Sequence, residues 1–208
     1  MLVVVLSGRR IEQRERLLEA AYDLVADVGI EGLRTREICR KADLNLAIFH
    51  YCFVSKDDLL RALYQYIIIR FRMQTEHLLV IDKSSSERLE SMIRLHAHLT
   101  QHMAREVKVW RVFSGLSDTN TAVRDILKEH FSTFRESVAV VLQQGMDSGE
   151  FPALPVKDAS IVAAMIVSLQ NGMIMQLGID PEAFDADRYA SAVFSWVTGK
   201  SNSIAAGK

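Results

Sequence analysis

Proline is scarce in this chain, at three residues in 208, and glycine is sparse at ten. With 49% of residues apolar, a disordered chain is excluded, and the lack of any period-two alternation of apolar and polar positions excludes a strand-built fold. Cysteine is limited to Cys39 and Cys52. Two thiols make no disulfide framework and their spacing matches no zinc motif, so both are expected as packing residues in a reducing cytoplasm. No apolar run is read as approaching the roughly 18–20 residues needed to cross a bilayer. The opening Leu2–Leu6 is about half a signal-peptide core, and its charges follow it instead of preceding it. Residues 1–8 are therefore expected to form a disordered or atypical tail. Charge of one sign is also lacking, with 25 Lys and Arg against 26 Asp and Glu over the chain. Residues 9–58 hold nine Lys and Arg against ten Asp and Glu, so any attraction to a polyanion must come from where the cations sit.

What is present is helical periodicity. Ile11, Leu17, Leu18, Ala21, Leu24, Val25 and Val28 recur at helical spacing over 10–28, and Gly29 stops the run as a residue just past a helix end. Thr35 is expected to cap a helix over 36–42 that faces inward through Ile38, Cys39 and Ala42. Asp43 occupies the following turn, and Asn45 caps a third helix over 46–52. Ser55, with Asp58 three residues on, begins a fourth helix running to about Leu79. Lys83–Ser86 interrupts the pattern, and Ser84 with Glu87 carries a capping-box signature. Further helices are expected over about 86–105, 107–116, 119–147, 158–178 and 185–199, with a loop at Asp147–Pro155 that holds Gly149, Pro152 and Pro155. The result is an all-α protein of about nine helices: a tail over 1–8, three helices over 9–58, and a helical bundle over 59–208.

Residues 34–57 read as a short helix, a tight turn, a second short helix and the capped start of another, the layout that puts side chains into the major groove of DNA. Helical geometry sends Leu44, Phe49 and Phe53 to a packing face. It leaves Leu46, His50 and Tyr51 outward beside the capping Asn45, with Ala47 small enough for close approach. His50 can exchange hydrogen bonds with a base edge and Leu46 can touch a thymine methyl. Arg34, Thr35, Arg36, Tyr51 and Lys56 are placed for phosphates. On spacing alone, a helix pair that binds no DNA and a merely solvated His50 stay open. The order of features is more specific. The amphipathic helix ending Val28-Gly29, then Thr35-Arg36-Glu37-Ile38, Ala42, Asn45-Leu46-Ala47-Ile48-Phe49-His50-Tyr51, Phe53 and Ser55-Lys56-Asp57-Asp58-Leu59 resemble the TetR family of bacterial transcriptional regulators. The match covers about a quarter of the chain and departs at Asp43, Cys52 and Val54, where that family usually has Gly, His or Tyr, and Gly or Pro. The resemblance implies a homodimer presenting residues 46–51 of each subunit to half of a palindrome, with C-terminal helices that pair two-fold and enclose an effector pocket. It makes 9–58 a helix-turn-helix DNA-binding domain and 59–208 an effector-binding and dimerisation domain.

The remainder reads as a sensor. The stretch from Ile161 to Leu169 is apolar nearly all round and must be covered on every side, and Ala192, Val193, Phe194, Trp196 and Val197 supply a matching stripe. Ile161, Met165, Val193, Trp196 and Val197 are expected in a self-complementary two-fold interface; closure of the monomer's own core is the alternative. Trp110, Gly145, Pro155 and Asn171-Gly172 resemble the choline-responsive subgroup in spacing, which gives no ligand by itself. Phe71, Leu95, Leu99, His102, Met103, Trp110, Phe113, Phe131, Phe134, Met165, Leu169, Gln170 and Met173 are candidate pocket walls, since methionine and aromatic rings adapt to a ligand. A methionine or aromatic ring at helical spacing is more often ordinary core. Gln170 on a buried helix needs hydrogen-bond partners. His98 and His102 share a helix face at metal-ligand spacing but lack a clear third ligand, so no metal or other cofactor is expected. No Ser-His-Asp order or glycine-rich phosphate loop points to an enzyme. The expectation is a ligand-responsive DNA-binding repressor that acts as a homodimer on a palindromic operator and is released by a small-molecule effector. A small helical enzyme, or a ligand-binding protein that does not touch DNA, is the alternative.

Overall fold

The computed structural model describes residues 8–75, 83–151 and 158–199. The expected tail up to residue 7, the far end of the fourth helix and the Pro152 and Pro155 positions lie outside the described residues. Nine α-helices, one 3-10 turn and no strand occur among the described residues. They are α1 (Gly8–Val28), the 3-10 turn (Ile30–Gly32), α2 (Thr35–Ala42), α3 (Leu46–Cys52), α4 (Lys56–Thr75), α5 (Ser85–His102), α6 (Ala104–Leu116), α7 (Thr121–Asp147), α8 (Ala159–Leu177) and α9 (Ala186–Thr198). They form two compact units: residues 8–71 with 108–127, and the described part of 72–107 with 128–199.

In the first unit, α1 buries Leu17, Ala21 and Val25, and α2 and α3 bury Ile38, Phe49 and Cys52. Gly29, at φ 85°, releases the chain from α1 into the 3-10 turn, a conformation that costs glycine little. Asp43 takes the left-handed conformation at φ 51° and ψ 49° that joins α2 to α3, and Arg16 holds the turn by donating to the Ala42 carbonyl at 2.7 Å. Thr35 is not the cap expected of it. α2 begins at Thr35 itself, Arg34 stands at the cap position, and no side chain caps that end. Asn45 does cap α3, its side-chain oxygen accepting from Ile48 N at 3.0 Å. Ser55 Oγ accepts from Asp58 N at 3.1 Å at the start of α4.

In the second unit, α5 packs on α8 and α9 through Leu89, Ile93 and Ala97, and Val138 and Leu142 of α7 join the same core. Ser84 and Glu87 form the expected capping box. Glu150, beyond α7, adds a second cap by accepting from Ser85 N at 3.2 Å and Ser86 N at 2.9 Å. Asp158 and Asp185 cap α8 and α9. The expectation that no apolar run comes near bilayer length is overturned by α8: its 19 residues are long and apolar enough to cross a membrane by length and composition alone. Its Ala163, Ile166 and Val167 nevertheless lie in the unit's core, and its Gln170 hydrogen-bonds to α5, as a central helix of a helical domain does.

Candidate nucleic-acid interface

The short helix α3 is anchored by its inner residues. Phe49 and Phe53 are 4% and 0% exposed and their rings lie 5.4 Å apart, tilted by 49°. Arg14 of α1 covers the Phe53 ring at 4.7 Å. With that side fixed, the other side is left to solvent: Asn45, Leu46, Ala47, His50 and Tyr51 are all exposed, as are Arg34, Arg36 and Lys56, and Thr35 is half-buried. Leu46 and Tyr51 keep 43% and 55% exposure, unusual for large apolar side chains and in keeping with a face that awaits a surface. All nine residues singled out for DNA contact therefore belong to one unit, and none is consumed by its core. Cys39 and Cys52 are buried, and burial pushes both thiols up, against the smaller opposing influence of Arg10 and Arg14 on Cys52.

Spacing alone missed Arg10. Its guanidinium lies over the Tyr51 ring at 4.5 Å. The contact is made by the start of α1 meeting the end of α3, and no local pattern in the sequence marks it.

The candidate pocket residues divide between the units. Trp110 and Phe113 are buried in the first unit together with Tyr64, whose ring lies 5.6 Å from Phe113. Burial pushes the Tyr64 phenol up, with its hydrogen bond to Trp110 acting the other way. Phe71 is half-buried in the same unit. In the second unit Leu99, Met103, Gln170 and Met173 are buried, and Phe131, Phe134, Met165 and Leu169 are half-buried. Gln170 is partnered at one end only: Nε2 donates to the Met92 carbonyl at 2.9 Å and lies 3.0 Å from His96 Nδ1, while Oε1 is buried without a partner. Burial, ahead of any other influence, brings the His96 pKa down to about 4. The His96 ring lies 5.1 Å from that of Phe134.

His102 stands apart from the interior candidates. It is exposed, and with Leu95, Arg94, His98, Gln101 and Asp187 it lines an open groove of about 460 Å³ on the surface of the second unit. Leu89, Ile93 and Ala97 occupy the inward side of α5, so the 95–98–102 side has to face out. The His98 and His102 rings are 4.5 Å apart, and no group of three or more His, Cys, Asp or Glu able to hold a metal is found among the described residues. The expectation for Val193 and Val197 is corrected. They are 6% and 0% exposed inside the chain's own core, where no partner can reach them. Ile161 and Trp196 remain outward, at 52% and 51%, with Met165 half-buried between solvent and core.

The chain matches two family profiles. Residues 17–63 match that of the bacterial regulatory proteins of the tetR family. Residues 85–199 match that of the BetI-type transcriptional repressor C-terminal region. The HTH-type transcriptional regulator BetI of Rhizobium meliloti is 23% identical over 169 residues, 81% of this chain and 79% of that protein. Among solved structures, a transcriptional regulator from Saccharomonospora viridis in complex with choline superposes with a TM-score of 0.75 at 24% identity, covering 90% of this chain and 96% of that one. The regulator FadR from Bacillus subtilis in complex with stearoyl-CoA superposes with a TM-score of 0.71 at 19% identity, covering 89% and 98%.

Proposed function

Because the chain belongs to the TetR family of transcriptional regulators, we propose that it is a cytoplasmic repressor in which α3 of each subunit of a homodimer reads half of a palindromic operator and a small molecule releases it. The observation that carries this reading is the outward face of α3. A seven-residue helix is capped by Asn45 and pinned by Phe49 and Phe53, and it keeps Leu46, Ala47, His50 and Tyr51 free of the core. Leu46 and His50 then address base edges in the major groove, while Arg34, Thr35, Arg36, Tyr51 and Lys56 hold phosphates. Ile161 and Trp196, with Met165, form the apolar face that a second copy covers, so that two reading helices stand one DNA turn apart, about 34–36 Å. An effector acts by binding the released state more tightly than the DNA-bound one. The interior of the second unit around His96, Phe134 and Gln170 is its proposed seat. The choline held by the Saccharomonospora viridis regulator makes choline the first compound to try.

Selection of bound fragments from random duplex DNA, followed by mobility shifts, tests the reading. His50→Ala is expected to change sequence preference, whereas Lys56→Ala weakens binding to all sequences and flattens the salt dependence. Trp196→Glu is expected to shift sedimentation from dimer to monomer. A protein that holds no duplex even at low salt refutes the assignment, and an unchanged sedimentation coefficient for Trp196→Glu refutes the interface.

A further inference from the structure

Ion pairing within the chain sorts the cations of the first unit. Arg14 lies 3.9 Å from Asp58, Arg40 lies 2.8 Å from Glu37, and Lys41 lies 3.4 Å from Asp23. Arg16 is occupied by the Ala42 carbonyl. Arg10 differs from all four. Among the described residues it meets no carboxylate and no hydrogen-bond acceptor, and its Nε is buried without a partner. Its guanidinium rests on the ring of Tyr51.

The chain's own stability does not account for this placement. A cation in the first turn of α1 opposes the helix dipole, and that turn holds no acidic residue to offset it. A buried N–H without an acceptor is a desolvation cost left uncompensated. The contact with Tyr51 does explain the position: a guanidinium held over a ring face by cation–π attraction keeps terminal N–H groups for the fork that matches a phosphate. Tyr51 is 55% exposed and belongs to the outward face of α3, so its platform carries the Arg10 charge at the margin of that face. We propose that Arg10 is a DNA-backbone contact, held in place by Tyr51, which extends the nucleic-acid surface from α2, α3 and α4 to the start of α1. The proposal rests on the DNA-binding reading above. It also bears on how a segment with no excess of basic residues attracts a polyanion: Arg14, Arg40 and Lys41 are paired with acids, whereas Arg10 joins the exposed Arg34, Arg36 and Lys56 in facing phosphate.

The test uses the full chain, an arbitrary duplex DNA and a series of salt concentrations, with thermal melts to show that each variant folds. Wild-type protein is expected to bind with a steep salt dependence. Arg10→Gln is expected to make the slope of log K against log salt less negative by about 0.9 for each subunit bound. Arg10→Lys keeps the charge and so the slope, but loses the planar fork, and binds several-fold more weakly. Tyr51→Leu removes the platform, so adding Arg10→Gln to it costs much less than Arg10→Gln costs alone. Tyr51→Phe keeps the ring, and the effect of Arg10→Gln on it remains full. A folded Arg10→Gln protein with the wild-type slope overturns the contact. Full additivity of Arg10→Gln with Tyr51→Leu overturns the positioning by Tyr51. In either case DNA binding by the wild type leaves the broader reading standing, whereas a wild type that binds no duplex overturns both.

Discussion

Acid should destabilise this protein in a window set by His96. The imidazole sits among α5, α7 and α8, its Nδ1 3.0 Å from Gln170 Nε2, and its pKa falls from 6.5 to about 4. Burial is the main cause; the Met92 carbonyl opposes it and the charge on His130 adds to it. Between those two values the unfolded chain holds a proton that the folded chain does not, so stability rises with pH there. The contribution is complete above about pH 6.5 and is lost as pH falls toward 4. At 1.36 kcal/mol per pH unit the whole effect is about 3 kcal/mol, and at pH 5 about 2 kcal/mol of it is gone. These are upper values, because His96 keeps partial exposure. For a chain of this size 2 kcal/mol lowers the melting temperature by roughly 4–8 °C. Burial also depresses His130, and its loss falls in the same direction, so the comparison must be with His96→Gln and His96→Phe. Urea unfolding at pH 7 and pH 5 measures it. Wild type should lose more stability between the two than either variant; equal losses would refute the burial of a neutral His96.

Two further outcomes concern single contacts. Asn45→Ala removes the cap of a seven-residue helix. It is expected to cost about 1 kcal/mol, to lower the melting temperature by roughly 2–4 °C, and to weaken binding to every duplex, with Asn45→Ser restoring most of the stability. A melt and mobility shift that match wild type would sink the cap's role. Gly145→Ala directs its new methyl group into the ring of the buried Phe151, and a loss of about 1–3 kcal/mol in urea unfolding is expected. Phe151→Leu in the same chain should recover part of it; no recovery would place the strain elsewhere.

Local chemistry was readable along the chain wherever partners stand within a few residues. Asn45 and Ser84 cap the helices they were expected to cap, and Asp43 takes the left-handed turn. The outward set on α3 was readable too, because with Phe49 and Phe53 inward the helical repeat leaves Leu46, Ala47, His50 and Tyr51 no other direction. Thr35 shows the limit even of local reading: a good cap residue followed by a good helix start yields to the tertiary placement of α2, which begins one residue earlier.

By itself the sequence determined an all-helical chain, the order of its helices and the composition of the outward face of α3, since helical period and caps are written within four residues. Tertiary structure alone decided which apolar faces meet each other. On α9, Val193 and Val197 fall to the core while Trp196 is left outside; on α5, Leu95 and His102 turn to solvent while Ala97 turns in. A stripe of apolar residues shows that a face will be covered, but not by what, because the covering residues lie dozens of positions away. Arg10 is the sharpest case. Its meaning comes from Tyr51, forty-one residues on (51 minus 10), and no spacing rule reaches that far.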